Sequence, residues 1–176
     1  MIKTIQFSFL LALFCVMGSQ SQAQLKRFSI GPYVETGVPT GDLKDTHSQG
    51  WGAGLNADIK LIAGLGVTGS AGYMRFGGKS FQELTDDGVA FSGKYSALQA
   101  FPVRVGVKYK FPIPLLYVKA EGGTATYVGD YSGTATLFAP GIGIRFLGLD
   151  VEAKYEAWFK DGNHAGFFGL KAGYNF

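Results

Sequence analysis

Phe168-Gly169-Leu170-Lys171-Ala172-Gly173-Tyr174-Asn175-Phe176 carries the pattern that recurs along the chain. Phe168, Leu170, Ala172, Tyr174 and Phe176 alternate with Gly169, Lys171, Gly173 and Asn175. Period-two alternation gives a strand one apolar face and one face that is not. A soluble domain rarely finishes with Tyr and Phe on the outer face of its last strand. A strand facing lipid does so, because aromatic rings settle at headgroup level.

Working back from that stretch, seven more alternating segments appear. The seventh strand, 149–160, alternates without a break: Leu149, Val151, Ala153, Tyr155, Ala157 and Phe159 oppose Asp150, Glu152, Lys154, Glu156, Trp158 and Lys160. The sixth, 133–146, sets Phe138, Pro140, Ile142, Ile144 and Phe146 against Gly141, Gly143 and Arg145. The fifth, 114–128, sets Leu116, Val118 and Ala120 against Tyr117, Lys119 and Glu121. In the fourth, 94–111, an apolar face from Tyr95 to Phe111 opposes Arg104, Lys108 and Lys110, and Pro102 points inward, so a local distortion is expected there. The second, 50–62, carries Trp51, Leu55 and Ile59 opposite Asn56, Asp58 and Lys60; the first, 27–37, carries Phe28, Ile30 and Val34 opposite Tyr33 and Glu35. The third, 65–76, is irregular: Leu65, Val67, Ala71 and Tyr73 share a face, while Met74 and Phe76 fall on the other and Arg75 points outward. Either a bulge near Tyr73 or a snorkelling Arg75 accounts for it.

Connections after strands two, four and six are short, around Ala63-Gly64, Pro112-Ile113 and Leu147-Gly148. Those after strands one and three are long, Val38 to Gln49 and Gly77 to Gly93; those near Gly129-Asp130 and Asp161 to His164 are intermediate. Short turns at one end and longer loops at the other fit an all-β, eight-stranded antiparallel transmembrane barrel with its termini on the periplasmic side. Outward aromatics then form two bands: Tyr109, Phe111, Phe146, Tyr174 and Phe176 at one rim, and Trp51, Tyr95, Phe159 and Phe168 at the other. A soluble β-sandwich or lipocalin-like barrel would turn the same apolar faces inward. The terminal Phe, the banding and the near-absence of charge on the apolar face favour the inverted, lipid-facing barrel.

The N-terminal end agrees. Lys3 precedes an apolar run from Ile5 to Met17, and Ser21 and Ala23 suit the small-residue positions before a cleavage site. Residues 1–23 are expected to be a signal peptide and 24–176 the barrel domain. The run is shorter than the roughly 20 residues a spanning helix needs. Cys15 lies within it, so the mature chain has no thiol or disulfide chemistry. Without Lys3, 15 bases face 13 acids, a balance that gives no reason to expect nucleic acid. A glycine- and aromatic-rich exported chain with no run of 18 apolar residues satisfies its backbone in lipid by closing a barrel.

The inward face gathers the charge. Glu35, Asp58, Glu121, Asp150, Glu152 and Glu156 meet Lys60, Arg104, Lys108, Lys110, Lys119, Arg145, Lys154, Lys160 and Lys171, six acids against nine bases. Eight strands leave an interior that side chains just fill. The expectation is a linked polar plug; the alternative is a narrow ion-selective passage.

On these residues the chain resembles the small eight-stranded outer-membrane barrels of the OmpA/OmpX type, over the whole mature length. Phe168, Leu170, Tyr174 and Phe176 resemble the C-terminal signal that the barrel-assembly machinery reads. Leu98 to Tyr109, with Pro102, Lys108 and Tyr109, and the following Tyr117 to Gly123 look like consecutive strands of the outer-membrane barrel-domain family common in Bacteroidota. The loops 38–49 and 77–93 are expected to be the place for an extracellular protein partner, and the resemblance implies a Gram-negative outer membrane with lipid as surroundings. It fixes no activity.

Nothing in the sequence carries chemistry. Barrels that deacylate lipopolysaccharide carry a His-x-Ser pair; here His164 is followed by Ala165 and Gly166. Asp45-Thr46-His47-Ser48 reads as a solvated turn, since a triad needs convergence in space. Two distant histidines make no transition-metal site, Asp86-Asp87-Gly88 lacks the spaced oxygens of a calcium loop, and Gly64-Leu65-Gly66 and Gly141-Ile142-Gly143 precede no phosphate-binding helix. The expectation is a structural or surface-interacting barrel, not an enzyme, with no cofactor and no metal. A pore, a lipid-modifying enzyme and an accessory of secretion or assembly are the alternatives.

Overall fold

Each alternating segment becomes one stave of a closed wall. The computed structural model describes residues 27–84, 90–113 and 115–176; the expected signal peptide, Asp86-Asp87-Gly88 and Val89 lie outside the described residues. The strands are β1 (Phe28–Thr40), β2 (His47–Lys60), β3 (Leu65–Gly78), β4 (Ser80–Leu84), β5 (Ala90–Lys94), β6 (Leu98–Lys110), β7 (Leu116–Val128), β8 (Thr134–Phe146), β9 (Leu149–Lys160) and β10 (Asn163–Tyr174), with a one-turn helix α1 (Asp42–Thr46). The barrel runs β1-β10-β9-β8-β7-β6-β3-β2, and β4 and β5 form a separate hairpin. Every neighbouring pair is antiparallel, and β1 closes on β10 with Thr36 opposite Leu170.

The faces sort as the alternation requires. Phe28, Ile30, Val34, Leu55, Val105, Ile142 and Leu170 are exposed on the outside, while Tyr33, Glu35, Arg104, Glu121 and Glu156 are buried inside. An apolar outside around a charged inside inverts a soluble barrel and suits lipid. Among the described residues no helix is long and apolar enough to cross a membrane. Tyr109–Phe111 and Tyr174–Phe176 pack edge to face at the end bearing the short turns; nearer the other, loop-bearing end Trp51–Tyr73 packs edge to face and Tyr73–Phe101 and Tyr155–Phe168 pack with tilted rings. Tyr95 is not in that second band. It precedes β6 and packs on Phe81 of the hairpin and on His47.

The third strand needs no bulge at Tyr73. Its register against β2 and β6 is constant through that point, and the shift lies instead between His47 and Gly50 of β2. Arg75 faces out, and Met74 and Phe76 are fully buried inside. Pro102 distorts as expected: β6 pairs with β3 at Val103 and again at Ala100, and the two pairings between are missing. Pro140 leaves the same gap between β8 and β9, because a proline has no N–H for the ladder.

The long polar loops are more ordered than the sequence suggests. The first becomes an extension of β1, helix α1 and the start of β2. Leu43 of α1 and His47 are buried, and His47 Nε2 lies 3.2 Å from the Ser96 carbonyl oxygen. The second becomes the β4–β5 hairpin, so the fourth barrel strand starts at Leu98 rather than at 94.

Candidate functional site: the lumen and its two mouths

The lumen charges form three tiers, each with two acids and two bases. At the turn end, Asp58 of β2 and Asp150 of β9 share Lys108 of β6 and Arg145 of β8. Lys108 Nζ is 3.4 Å from Asp58 and 3.1 Å from Asp150, and Arg145 contacts both carboxylates. Tyr117 donates its hydroxyl proton to Asp150, and Lys108 Nζ lies 3.7 Å from the centre of the Tyr117 ring.

In the middle tier Lys119 holds Glu121 at 3.1 Å and Glu152 at 2.6 Å. Its second base, Lys171, has no carboxylate within ion-pair distance among the described residues and sits 4.0 Å over the ring of Tyr33. The third tier closes a square. Arg104 reaches Glu35 at 3.1 Å and Glu156 at 3.0 Å, and Lys154 reaches the same two at 2.7 and 2.6 Å. Arg104 also donates to the Tyr33 hydroxyl at 3.2 Å, and Trp158 donates its indole N–H to Glu156 at 2.7 Å.

β9 is the spine of this network. Its unbroken alternation places Asp150, Glu152, Lys154 and Glu156 one above another on the inner face. Six acids and six bases are the outcome, not six and nine. Lys60 and Lys110 have inward parity but lie exposed at strand ends. Lys160 is half-buried at the loop end, donating to the Ser132 carbonyl and 4.0 Å from Asp161. A strand terminus opens to solvent whatever its parity, so a charge there needs no buried partner. Confined charges without partners are costly, and the tiers hold acids and bases in equal number. A cavity of about 10 Å³ among Asn56, Thr68, Lys108, Lys119 and Glu152 has room for about one water.

Above the charges the lumen becomes apolar, which the sequence reading did not foresee. Phe76 and Phe167 pack with ring centres 5.0 Å apart, Trp158 lies 5.7 Å from Phe167, and Met74, Leu98, Leu137 and three alanines complete the layer. Leu43 of α1, which is not part of the barrel wall, joins it at the loop end. Gly37 and Gly50 leave the space: a Cβ on Gly37 would come within 2.8 Å of Phe167, and one on Gly50 within 2.5 Å of Phe76. The signal was present as apolar Met74 and Phe76 on the inward face of β3 and as the Phe167-Phe168 pair, of which one ring faces in and the other out.

Each mouth carries a depression. At the loop end about 480 Å³ opens over Trp158, bordered by His47, Tyr95, Tyr127, Tyr131 and His164. His47 bonds Thr46 and Ser96 there rather than a serine nucleophile; Ser48 donates to the Gly77 carbonyl. At the turn end about 350 Å³ opens beneath the Asp58–Arg145 tier. Among the described residues no group of three His, Cys, Asp or Glu side chains is placed to hold a metal.

No family model and no curated protein matches the chain. Among solved structures it is similar to the outer membrane protein Ail of Yersinia pestis. The crystal structure of Ail has a TM-score of 0.55 at 18% identity, covering 85% of this chain and 96% of Ail. A backbone structure of Ail in a phospholipid bilayer nanodisc has a TM-score of 0.51 at 18% identity, covering 83% and 99%. At that identity the likeness speaks for the fold. This chain is an eight-stranded closed antiparallel barrel of the outer-membrane kind.

Proposed function

We propose that the protein is a non-enzymatic barrel of a Gram-negative outer membrane, of the small OmpA/OmpX type, whose lumen is closed and whose loop end is its working surface. The observation that carries the closed lumen is the charge arrangement: three tiers of two acids and two bases beneath an aromatic layer. Short turns at one end and α1 with the β4–β5 hairpin at the other support a periplasmic turn end and an external loop end. The hairpin, helix α1 and the cup over Trp158 would then face an extracellular partner.

Proteoliposomes carrying the refolded barrel should not swell in an isotonic small sugar; swelling at the rate of a known porin would sink the closed-lumen reading. Lipopolysaccharide incubated with the protein should keep its mass, since His47 is held by Thr46 and the Ser96 carbonyl rather than set between a serine and a carboxylate. Loss or gain of an acyl mass would make it an enzyme.

Phe168, Leu170 and Tyr174 of β10 and Phe176 just beyond it all lie exposed, which supports their role as the stretch read during insertion. Phe176→Ser with Tyr174→Ser should lower the amount of folded barrel in the membrane several-fold while leaving spontaneous refolding in detergent intact. Equal loss in both settings would point to stability instead.

A further inference from the structure

The turn-end depression has a chemistry that the closed lumen does not use. Its floor is the Asp58–Lys108–Arg145 group, whose acid is already held. Arg27, Lys60 and Lys110 line it as well, all three exposed and without a carboxylate partner among the described residues. With Lys108 and Arg145 answered by Asp58 and Asp150, three bases stand unanswered in the lining. The rest of the wall is apolar, with Ile59, Leu61 and Leu65 exposed beside it on the outer surface. Between Leu61 and Leu65 the rim includes Gly64, and Gly66 follows; neither carries a side chain to fence the basic space from the lipid face.

A basic hollow that opens sideways onto an aliphatic surface suits a ligand with an anionic head and a hydrocarbon tail. Water would solvate an inorganic anion at such an edge equally well, and the aliphatic strip would gain nothing from it. We infer that this mouth binds the phosphate of an acidic phospholipid of the adjoining leaflet, with Lys60, Lys110 and Arg27 on the headgroup and the acyl chains along Ile59 and Leu65. Basic residues at a membrane surface attract anionic lipid, and burying acyl methylenes on the strip adds the hydrophobic part. The inference is independent of what the loop end does.

The test uses the full refolded protein in a neutral detergent, with native mass spectrometry reading bound lipid. Phosphatidylglycerol should be retained at one per barrel, and phosphatidylcholine should be released first. Lys60→Gln with Lys110→Gln should weaken phosphatidylglycerol retention by roughly fivefold for each lysine, with the heat-dependent gel shift unchanged because neither lysine belongs to the buried tiers. Arg27→Gln, which precedes β1, should weaken it separately and provides the readout if the double variant folds poorly. Equal retention of the two lipids, or no weakening in either variant, overturns the inference. Displacement of the lipid by inorganic phosphate at comparable concentration would also overturn it, since the site would then read a free phosphate.

Discussion

Arg104 shows what a single inward position does in so narrow a barrel. Its guanidinium is fully buried and touches Glu35, Glu156 and the Tyr33 hydroxyl. Arg104→Ala would leave two buried carboxylates sharing Lys154 alone, and removing one partner of a buried pair costs roughly 3–5 kcal/mol. We expect that loss in equilibrium urea unfolding from lipid vesicles; an unchanged midpoint would mean the square contributes little. Lys60→Gln should stay within about 0.5 kcal/mol of the parent, as exposed substitutions do. Phe76→Ala, in the layer above, should cost about 3–5 kcal/mol by opening a cavity against Phe167 and Trp158. Parity in the sequence placed Arg104 and Glu156 correctly. It placed Lys60 inside as well, because period two knows nothing of where a strand ends. The tiers themselves were not legible, since which acid meets which base depends on cross-strand register and reach, and a single sequence shows neither.

Among the elements, the β4–β5 hairpin stands apart from the barrel wall, pairing Ser80 with Lys94 and Leu84 with Ala90. Replacing residues 80–94 by a short turn should leave the heat-dependent gel shift of the barrel in place. Loss of the shift would show that the hairpin braces β3 and β6. The eight barrel strands were readable because each long run alternates against one lipid-facing side. The hairpin was not: its strands are five residues each, and the pattern around Tyr95 merged with the strand that follows. The expected bulge at Tyr73 was a repair for a parity conflict that does not exist, since an inward Met74 and Phe76 belong to the apolar layer. Pro102 was read well, because a missing N–H has a local consequence wherever the strand sits.

Taken as a whole, the molecule is a lipid-facing tube whose core is filled twice, by paired charges toward the turn end and by rings toward the loop end. In the proposed closed lumen, charge pairing and ring packing would be different devices with the same consequence for permeation: each would remove the continuous water that an ion needs. Opening it would mean breaking several buried pairs together. Ion conductance of the refolded protein in a planar bilayer, after a gel shift verifies folded barrels and protection from protease verifies insertion, tests this most directly. A closed lumen predicts a silent bilayer at voltages where a porin control conducts. Steady single-channel steps that change size in Arg104→Ala or Glu152→Gln would contradict it and make the tiers a selectivity filter.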